Sequence, residues 1–75
     1  MSQKIIPENV RKIIQRLQKL GFEEVRTAGS HRQFKDSLGH LVTVADHPGD
    51  IWIDDIRSII RQTGLKREDF YTKSN

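Results

Sequence analysis

The hydrophobic period of this 75-residue chain changes twice, and those changes limit what it can fold into. Val10, Ile13, Ile14, Leu17 and Leu20 recur at intervals of three and four, one face of an α-helix. Arg11, Lys12, Gln15, Arg16, Gln18 and Lys19 fill the remaining surface of that helix. Pro7 suits its first helical position, and the Glu8 carboxylate suits the positive end of the helix dipole. Gly21 is the expected stop, with Phe22 folding back on Leu17 in a Schellman-type ending. The period then drops to two. Strands are expected over residues 22–27, with Val25 as the core residue, and over 31–35 and 41–45. Gly29-Ser30 turns the first into the second, and residues 36–40 connect the second to the third. After the turn-forming Asp46-His47-Pro48-Gly49-Asp50, the helical period returns in Ile56, Ile59 and Ile60. Asp54 or Asp55 is the expected cap of this second helix, and Gly64 its stop, with Leu65 folding back on Ile60. Residues 66–71 make one more helical turn anchored by Phe70, and residues 72–75 read as a loose tail.

The resulting fold class is α+β: helix, three antiparallel strands, helix. Two amphipathic helices can cover one face of such a sheet, leaving the other open. This αβββα order is the architecture of double-stranded-RNA-binding domains, although order alone does not establish function. Seventy-five residues allow a single domain, with a core over about residues 7–71 and loose ends. The chain has no cysteine, which removes disulfides and thiolate metal sites. No apolar run has the length of a membrane span, and Met1 to Pro7 lacks a signal-peptide apolar core, so a cytoplasmic protein is expected.

Charge is unevenly placed. Residues 1–35 carry eight Lys/Arg against three acids, and residues 36–75 carry five against seven. The basic half suits a polyanion such as nucleic acid, and equally suits an ordinary solvated face.

The stretch Thr27-Ala28-Gly29-Ser30-His31-Arg32-Gln33-Phe34 lies in that basic half. It places a histidine where a loop hands over to a strand, so its imidazole is held yet reachable for proton transfer near neutrality. With Phe34 in the core, alternation puts His31, Gln33 and Lys35 on the open face and Arg32 on Phe34's side; a bulge near Ser30 would reverse this.

Taken together, these residues resemble the HicA (YcfA-like) toxins of bacterial HicAB toxin–antitoxin pairs. The resemblance runs from about Pro7 to Phe70. It is carried by Leu20-Gly21-Phe22, Gly29-Ser30-His31, Thr43-Val44 with His47-Pro48-Gly49, residues 56–62 with Gly64-Leu65, and Glu68-Asp69-Phe70. It implies a double-stranded-RNA-binding-like fold, metal-independent cleavage of messenger RNA, and inhibition by a HicB-type antitoxin that blocks the active site. It maps the family's catalytic histidine onto His31. Two places depart from the family pattern: Ala45 replaces a usual proline before His47, and Asp54-Asp55 replaces a frequent Gly-Thr.

A ribonuclease without a metal uses the RNA's own 2′-hydroxyl as nucleophile, and needs a base, an acid and cations for the phosphate. His31 is the catalytic candidate, as a single histidine for acid and base chemistry. Gly29, Ser30, Lys35 and His47 are further catalytic or RNA-contacting candidates; His47 could be the complementary acid, with a plain loop histidine before Pro48-Gly49 the slightly favoured reading. Arg26, Arg32, Lys12 and Lys19 are candidate phosphate contacts. His40 reads as a turn residue. Trp52 reads as core or helix-docking, and as an antitoxin contact should it be exposed. No cofactor is called for, and three histidines without a helical His-x-x-x-His pair make a poor metal site. The alternatives are a non-catalytic RNA-binding module of the same fold, or an inactive homologue kept for protein contact.

Overall fold

A computed structural model describes residues 4–75. The elements in order are β1 (Glu8–Asn9), α1 (Val10–Lys19), β2 (Glu23–Ala28), β3 (His31–Lys35), β4 (Leu41–Ala45), β5 (Asp50–Ile51), α2 (Ile53–Thr63) and α3 (Arg67–Lys73). The main sheet is antiparallel in the order β2-β3-β4, and β1 pairs with β5 in a separate two-residue ribbon. The expected αβββα arrangement is present, with the short ribbon and a full third helix added to it.

One face of the sheet is dry. Phe34, Val42 and Val44 are completely buried, together with Ile13 and Leu17 of α1, Ile56 of α2 and Phe70 of α3. Strand register opposes Phe34 to Val42 and Arg32 to Val44, so these four share the helix-facing side. His31, Gln33 and Lys35 oppose Ala45, Thr43 and Leu41 on the other side. The expected parity of β3 holds.

The edges of the elements carry the differences. Asn9, not Pro7, marks the start of α1: its side chain accepts from the Lys12 N–H at 2.8 Å, an acceptor proline does not have. Glu8 forms the ribbon and reaches Arg16 instead of the helix end. The stop of α1 is the expected Schellman ending. Gly21 has φ +93°, the Phe22 N–H donates to Leu17 O at 2.9 Å, and the Gly21 N–H donates to Gln18 O at 3.1 Å.

Val25 is 56 % exposed, not a core residue. The register between β2 and β3 shifts between Glu24 and Arg26, so Val25 is the extra residue of a β-bulge and leaves the alternation that would have buried it. The bulge thus falls in β2, and the turn before His31 is regular. In α2, Trp52 is the cap position and offers no side-chain bond, while Asp54 and Asp55 lie in the first turn, where their charge meets the helix dipole. After Gly64 (φ +76°), Leu65 does not bond back to Ile60. The Thr63 hydroxyl donates to Ile60 O and accepts from the Leu65 N–H instead. His40 does more than turn the chain. Its ring bonds to Asp36 Oδ2 at 2.8 Å, and it leaves a Cβ at Gly64 only 2.6 Å from Nε2.

The C-terminal end is packed where a loose tail was expected. α3 reaches Lys73, and Ser74 is buried with its hydroxyl bonded to Phe70 O. Arg16 ties this end to the beginning of the chain. It donates to both Glu8 carboxylate oxygens at 2.8 and 2.9 Å and to Ser74 Oγ at 3.1 Å, and it lies 4.8 Å over the Tyr71 ring. The Glu8 hydrogen bond raises the Arg16 pKa against the opposing effect of burial. Both partners are about nine-tenths buried, so removing one strands the other charge. Glu8→Ala should destabilise the domain by about 3 kcal/mol, lowering Tm by roughly 15 °C in a circular-dichroism melt. Arg57→Ala, which breaks the exposed pair with Asp54, should change stability by less than about 0.5 kcal/mol.

Candidate active site

Gly29 and Ser30 form a two-residue hairpin between Ala28 and His31. Gly29 has φ +59° and, among the described residues, no non-glycine residue has positive φ, the pattern of a II′ turn with glycine first. This tight turn starts β3 at His31. The hairpin is also tied sideways, since the Asp46 N–H donates to Ser30 O at 2.6 Å, one step beyond the His31–Ala45 pair.

His31 is exposed and lines a cavity of about 290 Å³ where the open sheet face meets α2. Thr43 and Ala45 form the β4 wall, and Ile51 and Ile59 add apolar surface. His47 lines the same cavity from the loop after β4. Asp55, Ser58 and Gln62 line it from α2. Gln62 also accepts from the Thr43 N–H at 2.9 Å, which satisfies a donor of the edge strand and fixes α2 against β4. A histidine pair, a carboxylate, a hydroxyl and an amide therefore converge on one half-open cleft. These groups can exchange protons and hydrogen-bond a polar ligand.

Ser58 and Gln62 were not singled out from sequence, and Asp55 was named only as a helix cap and a departure from the family pattern, not as a site residue. Their signal was present as a polar stripe, at i, i+3 and i+7, beside the isoleucine stripe of the same helix.

The other candidates scatter. Lys35 is on the His31 face but lines a separate groove with Glu23 and Val25. Arg26 opposes Gln33 on that face, outside the cavity lining. Lys12 and Lys19 are exposed on α1, and Lys19 lines a groove with His40 and Leu65. Trp52 is 62 % exposed, not core, and sits between cavity-lining Ile51 and the start of α2. Among the described residues no three His, Cys, Asp or Glu side chains form a group that could hold a metal ion, and no helix is long and apolar enough to cross a membrane.

Arg32 is engaged elsewhere. On the helix-facing side of β3 it donates to Glu24 at 2.8 and 2.9 Å and to Asp46 at 3.4 Å, and it lies 5.8 Å over the Phe34 ring. Through Glu24 and Asp46 it connects β2 with the loop that carries His47.

These features define the class of this protein: an α+β domain whose two main helices cover one side of a three-stranded sheet and whose other side presents a histidine cleft. The family described as HicA toxin of bacterial toxin–antitoxin matches residues 10–65, and the chain belongs to it. It is therefore a toxin of the toxin–antitoxin kind. Among curated proteins none matches this chain.

The Arg32–Glu24 link has a pH signature. Hydrogen bonds from Arg32 and then from Thr27 lower the Glu24 pKa from 4.5 to about 2. A depressed carboxylate stabilises the fold above its unfolded value and loses that contribution as pH falls through the folded one. The stability difference between wild type and Glu24→Gln should be full at pH 6, shrink between about 4.5 and about 2, and fall with added salt. Urea unfolding midpoints at pH 6, 4 and 2.5 measure it.

Proposed function

We propose that this toxin is a metal-independent endoribonuclease that cleaves messenger RNA in the cytoplasm, with His31 transferring the proton at the scissile phosphate. The observation that carries this reading is the position of His31 in the cleft, at the start of a strand whose turn is held by glycine geometry and by the Asp46–Ser30 bond. An imidazole fixed in this way, yet exposed, can meet a substrate and change protonation near neutral pH. The open face beside it carries Arg26 and Lys35 as the phosphate contacts. Gly29 and Ser30 bring backbone close to the RNA without a bulky side chain.

A HicB-type antitoxin is the partner we assign to this surface. It blocks the cleft and covers the exposed apolar side chains beside it, with Trp52 as the anchor.

The experiment is RNA cleavage by purified protein in excess EDTA, wild type beside His31→Ala, with product ends mapped. Wild type should cut and leave 2′,3′-cyclic phosphate and 5′-hydroxyl ends, and His31→Ala should be slower by about 10²–10⁴-fold. Both should bind RNA alike, with affinity falling as salt rises. Binding without cleavage by wild type would make the protein an RNA-binding module. Full sensitivity to EDTA would replace the proposed chemistry by a metal-dependent one.

A further inference from the structure

We propose that His47 is a second catalytic residue of the cleft, giving a proton to the 5′-oxygen as it leaves while His31 takes one from the 2′-hydroxyl. This rests on the ribonuclease reading and replaces its single-histidine form.

The charge inventory of the cavity points to it. An alkoxide leaving group needs an acid in the same step in which the 2′-hydroxyl loses its proton, and one ring that is taking a proton is not free to give another. The lining includes no lysine or arginine. An ionised Asp55 only accepts hydrogen bonds, and hydroxyls such as those of Ser58 and Thr43 are poor acids. The other imidazole on the wall is His47.

His47 is also oriented. Its Nδ1 donates to the Pro48 carbonyl at 3.1 Å, which leaves Nε2 as the nitrogen that carries the transferable proton. The loop is anchored on both sides of the ring. Before it, the Asp46 N–H bonds to Ser30 O beside His31; after it, Asp50 and Ile51 pair with Asn9 and Glu8. Gly49, at φ +88°, makes the reversal between the anchors. Asp55, on the α2 wall, supplies a negative charge for the doubly protonated ring.

The step balances without a further reactant. His31 removes the 2′-hydroxyl proton, the 2′-oxygen forms a bond to phosphorus, and the bond from phosphorus to the 5′-oxygen breaks. The electron pair of that bond stays on the 5′-oxygen, which receives the proton from His47 Nε2. The products are a 2′,3′-cyclic phosphate and a 5′-hydroxyl.

The test is a leaving group that needs no acid. Wild type, His31→Ala and His47→Ala are assayed on an RNA and on the same RNA with sulfur replacing one bridging 5′-oxygen, because a thiolate leaves unprotonated. His47→Ala should cut ordinary RNA about 10²–10⁴-fold more slowly than wild type and regain most of that loss at the sulfur linkage. His31→Ala should stay slow on both. His47 is exposed, so its truncation should leave the circular-dichroism melt unchanged. Three results would overturn the assignment: His47→Ala as fast as wild type on ordinary RNA, His47→Ala equally slowed on both substrates, or rescue of His31→Ala instead. Wild type cutting neither substrate would remove the ribonuclease reading itself, an outcome visible without any variant.

Discussion

Burial of Phe34, Val42 and Val44 under the helices is the constraint on which the rest of this structure depends. Side chains alternate along a strand, so three dry residues on one face decide that His31, Thr43 and Ala45 face away from the core. A register slip of one residue would bury the imidazole and expose Phe34, at the cost of a large aromatic side chain left in water. The two-residue turn at Gly29-Ser30 prevents that slip locally. The bulge at Val25 adjusts β2 without disturbing the β3–β4 register that forms the cleft. The irregularity is confined to the strand that can tolerate it, since every residue of β2 is exposed.

Electrostatics sets two cations of the basic half apart from the others. Arg16 and Arg32 are internal ties, one joining the two ends of the chain through Glu8 and Ser74, the other joining β2 to the loop after β4. The excess of positive charge in residues 1–35 therefore overstates what is offered to an anion. On the open face Arg26 and Lys35 remain, and Glu23 opposes Lys35 across the strands. A polyanion would meet a mildly basic surface, so recognition has to draw on hydrogen bonding in the cleft as well as on charge.

Much of this was legible before any coordinates. Helical and alternating periods are produced by burial itself, so Ile13, Leu17, Phe34, Val42, Val44 and Ile56 announced the layers and the parity of β3. The glycine stops at Gly21 and Gly64 followed from backbone sterics. What stayed hidden depended on contacts between distant segments. The β1–β5 ribbon, the Arg16 tie and the burial of Ser74 have no local pattern, and the Val25 bulge breaks the pattern that a reader uses. For the site, His31 stood out because a turn and a strand flanked it. His47 was a candidate acid whose favoured reading was a plain loop histidine, because the cavity it shares with His31 is a tertiary fact.

Asp55 shows how a local requirement and the site meet in one residue. Trp52 provides no side-chain cap for α2, and the two aspartates of its first turn offset the partial positive charge of the helix start. Helical spacing then fixes where those carboxylates go. Asp54 turns outward to Arg57 at 3.3 Å, while Asp55 shares the stripe of Ser58 and Gln62 and lines the cavity wall. A Gly-Thr start would offer bare helix N–H groups to a phosphate. The aspartates occupy that field with charge belonging to the protein, and a bound anion near α2 would be repelled. A phosphate is therefore favoured toward the β3 side of the cleft, where His31 stands at the turn, and disfavoured at the helix end. The same carboxylate that compensates for a missing cap thereby narrows where in the cleft an anion can lie.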